Sequence, residues 1–118
     1  MSAQPNQQTL VTNEYQNFSE ALQKAQQFIA QYPNDYMGYV NYGDVFMSMD
    51  NYSKAIDNYE KALTIRPDDA SVFFKLGNAY ELKEDFQNAR HQFQTAKTLD
   101  PNNLLYSGYL GRLLNEKG

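Results

Sequence analysis

Residues 36–69 read YMGYVNYGDVFMSMDNYSKAIDNYEKALTIRPDD, and residues 70–103 read ASVFFKLGNAYELKEDFQNARHQFQTAKTLDPNN. Laid end to end without a gap, they place Gly43 over Gly77, Ala55 over Ala89, Ala62 over Ala96 and Pro67 over Pro101. Rings recur at fixed places as well: Tyr39 with Phe73, Phe46 with Tyr80, Tyr59 with Phe93. The same 34-residue step runs backward to Phe18, Ala21 and Pro33. Overall identity between the two stretches is low; size and polarity recur at chosen places, as they do when packing geometry selects the residues.

Each 34-residue unit reads as two antiparallel helices. Tyr39, Tyr42, Val45, Phe46 and Met49 have helical spacing and predict a first helix over 36–49. Asp50-Asn51 suits a turn, because short polar side chains hydrogen-bond local backbone in non-helical conformations. Ala55, Ile56, Tyr59, Ala62 and Leu63 share a face of a second helix over 52–65. Pro67 ends it, lacking an N–H donor and restricting the residue before it. Asp35, Asp69 and Asn103 then stand where an N-cap is wanted for the following helix. The second unit repeats the layout: helices over 70–83 and 86–99 around Glu84-Asp85, then Pro101. Gly43 and Gly77 fall mid-helix, where glycine costs about 1 kcal/mol against alanine. Small residues opposite them, Ala55 with Ala62 and Ala89 with Ala96, predict close helix axes flanked by packed rings.

On these residues the chain resembles the tetratricopeptide repeat family, whose pattern is aromatic, Leu-Gly, Tyr, Ala, aromatic, Ala, Pro. One unit carries it as Tyr39, Tyr42-Gly43, Phe46, Ala55, Tyr59, Ala62 and Pro67. The next has Phe73, Leu76-Gly77, Tyr80, Ala89, Phe93, Ala96 and Pro101. The resemblance implies an all-α fold: a short right-handed solenoid of helix–turn–helix repeats with six or seven helices. Residues 36–69 and 70–103 are the full repeats. Residues 1–11 are expected to be a flexible N-terminus and 12–35 a degenerate or capping half-repeat, with Phe18, Ala21, Leu22, Ala25, Phe28 and Ile29 in second-helix positions. Residues 104–118 are expected to form a first-type capping helix.

The resemblance further implies that first helices line a concave groove. The expected groove residues are Met37, Val40, Asn41, Asp44 and Met47 in one unit and Phe74, Lys75, Asn78, Glu81 and Leu82 in the next. Leu105, Tyr109 and Arg112 follow in the last helix. Clustered exposed apolar side chains mark partner sites, so the expected function is a scaffold or adaptor binding a peptide or helix of another protein. Some family members clamp a partner's C-terminal carboxylate with Lys and Asn. Here Asn41 and Lys75 fall at two such places, but the leading Lys-Asn pair has no match, and Asp44 would repel a carboxylate. The alternative function is a self-associating block or piece of a longer array. For this, Leu110 and Leu114 are expected to pack backward, leaving Tyr106, Tyr109 and Leu113 to face outward as a homodimer surface.

Composition narrows the remaining classes. The net charge of −4 argues against nucleic acid and anionic membranes as partners. No run reaches the ~18 apolar residues of a membrane span, and the N-terminus lacks the basic and apolar stretches of a secretory signal. Without cysteine there is no disulfide, thiolate ligand or Cys nucleophile, and a cytoplasmic location is expected. His91 is the only histidine and sits on an outer helix face, so no transition-metal set can be assembled. Single, scattered glycines form no phosphate loop. The expectation is a non-enzyme with no cofactor and no metal.

Overall fold

The computed structural model describes residues 7–117, with side chains from residue 16 to residue 115. Six helices follow one another: α1 Gln7–Gln31, α2 Tyr36–Ser48, α3 Tyr52–Ile65, α4 Ala70–Leu82, α5 Phe86–Leu99 and α6 Leu104–Lys117. There is no strand among the described residues. Each helix packs on its neighbours in sequence, which stacks the hairpins into a body of 58 × 38 × 23 Å. This all-α solenoid is the architecture the repeat predicts.

The ends of the middle helices follow from local chemistry. Asp35, Asp69 and Asn103 each accept a backbone N–H two residues on, at 2.9–3.0 Å. Asn51 and Asp85 cap α3 and α5 by accepting from the N–H of Lys54 and Asn88 at 3.3 Å. Between paired helices the chain turns through one left-handed residue, Asp50 (φ 58°) or Glu84 (φ 63°). The expected first helices are a residue shorter than read, because Met49 and Lys83 serve as their C-caps.

The N-terminal segment departs from expectation. Residues 1–6 of the expected flexible stretch lie outside the described residues, but residues 7–11 are helical and continuous with the rest of α1. No glycine or proline interrupts Gln7–Gln31, and nothing at Gln16-Asn17 reproduces the turn made by Asp50 and Glu84 one and two periods later. The chain therefore adds one long second-type helix to the first repeat.

The core runs along the hairpin seams. Val40, Phe46, Ala55, Ile56, Tyr59, Ala62, Val72, Leu76 and Ala79 form one buried cluster; Ala89, Phe93, Leu110 and Leu113 form a second. The glycines do their steric work against rings, not against the alanines expected opposite them. The Tyr59 ring lies on Gly43 and the Phe93 ring on Gly77; a Cβ there would sit 2.6 and 2.5 Å from ring carbons. Gly38 receives Phe28 and Ile29 of α1 in a similar way, with Cβ distances of 3.0 and 2.9 Å.

Candidate functional site

The first-type helices α2, α4 and α6 lie side by side, joined by polar bridges across the face they share. Lys75 Nζ donates to both carboxylate oxygens of Asp44 at 3.1 Å, and the Tyr59 hydroxyl donates to the same carboxylate at 2.6 Å. One step along, Arg112 donates both guanidinium arms to Glu81 at 2.8 and 2.9 Å, and its charged plane stands 5.3 Å from the Tyr109 ring. Burial, followed by the hydrogen bond to Asp44, drives the Tyr59 hydroxyl far above the ordinary phenol range. It therefore stays a donor, holding the carboxylate in place.

Two hollows open beside these bridges. One, of about 270 Å³, is lined by Asp44, Met47, Tyr59, Lys75 and Asn78. The other, of about 640 Å³, runs from Met47 and Asn78 past Glu81 and Leu82 to Tyr109 and Arg112. Met47 and Asn78 border both, so the two form one groove.

The expected groove set divides in four. Asp44, Met47, Lys75, Asn78, Glu81, Leu82, Tyr109 and Arg112 come together in the groove. Met37 and Leu105 are exposed, at 39% and 50%, but line neither hollow. Val40 and Phe74 belong elsewhere. Val40 is 3% exposed in the core, and Phe74 stacks on Phe93, Tyr106 and Tyr109 with ring centroids 4.9–5.7 Å apart. Val40 closes into the core and Phe74 reaches across to α6, placements that a single-helix reading cannot make. Asn41 lines a separate hollow with Ala21, Lys24, Ala25, Phe28 and Val45. Tyr59, Glu84 and Phe86 join the groove unforeseen. The ion pairs did leave a signal: Asp44 with Lys75 and Glu81 with Arg112 are both opposite charges 31 residues apart.

The expected outward surface on α6 is corrected. Tyr106 and Leu113 are buried, at 5% and 0%, and Tyr109 is half-buried in the aromatic cluster, whereas Leu114 is 53% exposed. Positions 106 and 113 correspond to Val72 and Ala79 one period earlier, both buried. These places face the preceding hairpin, which α6 has. Leu114 holds the place of Phe46 and Tyr80, which α3 and α5 help to cover; no such helix follows α6 among the described residues.

Among the described residues no group of three or more His, Cys, Asp or Glu side chains is placed to hold a metal. No described helix is long and apolar enough to cross a membrane.

A family model described as "TPR repeat" matches residues 43–84, and one described as "Tetratricopeptide repeat" matches residues 70–103. Comparison with curated proteins finds no significant match. Among solved structures, the first TPR of Spaghetti (RPAP3) bound to the HSP90 peptide SRMEEVD superposes with a TM-score of 0.78 at 14% identity, over 86% of this chain and 81% of that one. The Yersinia enterocolitica secretion chaperone SycD, in complex with a peptide of the translocator YopD, gives 0.79 at 18% identity, over 93% and 91%. The Arabidopsis OM64 TPR domain gives 0.77 at 19%, over 90% and 88%.

Proposed function

The chain belongs to the tetratricopeptide repeat family, and from that premise we propose that it is a non-catalytic interaction module whose α2–α4–α6 groove holds a segment of a partner protein. The observation that carries this reading is the pair of adjoining hollows that share Met47 and Asn78, one of them reaching Tyr109. Methionine and tyrosine offer adaptable apolar contact, and the Asn78 amide offers both donors and acceptors to a peptide backbone. Structures of similar fold bound to peptides of HSP90 and of YopD support the general mode.

Electrostatics supports a partner segment that is apolar and weakly charged. Both cations of the groove, Lys75 and Arg112, already hold carboxylates of their own chain, and Glu84 adds a further acid at the rim. An acidic peptide would have to displace Asp44 or Glu81 or lie beside them. Like charges brought together cost free energy without a compensating bond. The acidic SRMEEVD peptide is thus a poor match for this groove.

A peptide library panned against the chain tests this. Enriched peptides are expected to be apolar and nearly uncharged. Met47→Glu and Asn78→Ala should each weaken their binding at least about tenfold with far-UV helicity unchanged. SRMEEVD should bind more weakly than the enriched peptides, and Asp44→Asn with Glu81→Gln should improve it. Equal binding by the groove variants ends the groove reading. Val40 and Phe74 are unsuitable for this purpose, because they carry packing. The self-associating alternative, no longer centred on Tyr106 and Leu113, takes a different form.

A further inference from the structure

Among the described residues, both ends of the array lack a helix that the middle possesses. Position 43 of the first full repeat recurs as Gly77 and Gly111. A second-type helix lays a ring on Gly43 and on Gly77, but a Cβ at Gly111 would meet nothing within 4 Å, nor would one at Gly108. Beside them Leu104 and Leu114 are exposed at 82% and 53%. So, among the described residues, α6 is a first-type helix with no second-type helix laid against Gly111.

The other end is the converse. α1 carries Ala21 and Ala25 at the places of Ala55 and Tyr59, yet no first-type helix precedes it among the described residues. An open hollow of about 330 Å³ lies there instead, lined by Ala21, Lys24, Ala25, Phe28, Asn41 and Val45. The repeat shows what belongs in it. Val45 recurs as Ala79 and Leu113, and both are fully buried against the preceding hairpin; Val45 is only half-buried.

We propose that these vacancies fill each other between copies: α6 of one molecule seats in the α1–α2 hollow of the next, and α1 of the second covers Gly108 and Gly111 of the first. The occupant is a second copy because the missing element at each end is of the type present at the other. The contact continues the α2–α3 and α4–α5 seams already inside the chain. Ala25 stands where Tyr59 and Phe93 stand, so Gly111 would meet a small side chain, and close approach of the axes, with Leu114 filling the flank, replaces the ring. Such a head-to-tail contact is heterologous and does not close on itself, so it builds open chains and not a symmetric dimer. It leaves the α2–α4–α6 groove uncovered and stands or falls separately from the peptide reading.

Sedimentation of the full chain from micromolar to millimolar concentration tests the proposal. The average mass should rise steadily with concentration. Gly111→Glu, at a position with open space around it, should block one end; Asn41→Glu, at an exposed position in the hollow, should block the other. Each variant alone should remain monomeric with unchanged helicity. Mixed, the Asn41→Glu copy retains a good α6 and the Gly111→Glu copy a good hollow, so a 1:1 dimer that grows no further should appear. A monomer at every concentration overturns the proposal and gives the α6 face to a different helix. A closed dimer indifferent to Asn41→Glu also overturns it, in favour of α6 against α6.

Discussion

At the scale of the residue, three glycines at one repeat position have opposite energetic signs. Gly77 faces the fully buried Phe93 ring, and an added Cβ would lie 2.5 Å from it. Alanine would recover about 1 kcal/mol of helix propensity there, but overpacking a filled core costs about 1–3 kcal/mol, and the ring has no room to yield. Gly77→Ala should therefore lower stability in a urea titration. At Gly111 the same substitution meets open space, so only propensity acts, and Gly111→Ala should raise stability by up to about 1 kcal/mol. Equal effects at the two sites would show that the ring contact does not control the close approach.

At the scale of the element, Asp69 does two jobs. It caps α4 through Ser71, and it receives the Tyr36 hydroxyl from α2 at 2.7 Å, joining the start of one repeat to the start of the next. Burial pushes its carboxyl up, but the hydrogen bonds from Ser71 and Tyr36 outweigh that and hold it below its ordinary value of 3.8. A depressed folded value means the stabilisation is complete above about pH 4 and is lost as pH falls through the folded value. Asp69→Ala should cost about 1–2 kcal/mol at pH 7, and the gap to wild type should narrow on acidification below pH 4. A constant gap down to pH 2 would contradict this assignment. The helix boundaries themselves were open to reading, since prolines, capping Asp and Asn residues, and 34-residue spacing are all local signals. The orientation of α6 departs from the sequence expectation, although Val72 with Tyr106 and Ala79 with Leu113 lie one period apart. Leu114, expected to pack backward, instead holds the place that a helix following α6 would cover.

At the scale of the whole molecule, the repeated seams bury phenols. Tyr59, Tyr80 and Tyr106 are raised above the ordinary value of 10.0 chiefly by burial, and Tyr36 chiefly by its bond to Asp69. A raised folded value stabilises below the unfolded value and is lost as pH climbs past it. Stability should therefore fall steeply above about pH 10, and absorbance at 295 nm should show a set of phenols ionising only as helicity collapses. Smooth titration of every tyrosine before any loss of helix would contradict it.

From the sequence alone came the repeat length, the helical hairpins and their caps, because periodicity, proline and capping chemistry act within a few residues of chain; the groove was what the family resemblance implied. Only the tertiary structure decided which side chains reach that groove. Lys75 and Arg112 are engaged by Asp44 and Glu81, Val40 and Phe74 are spent on packing, and Gly111 is left bare. Those outcomes depend on what the adjacent hairpin supplies or fails to supply, and that is a property of stacked neighbours, not of any one stretch of chain.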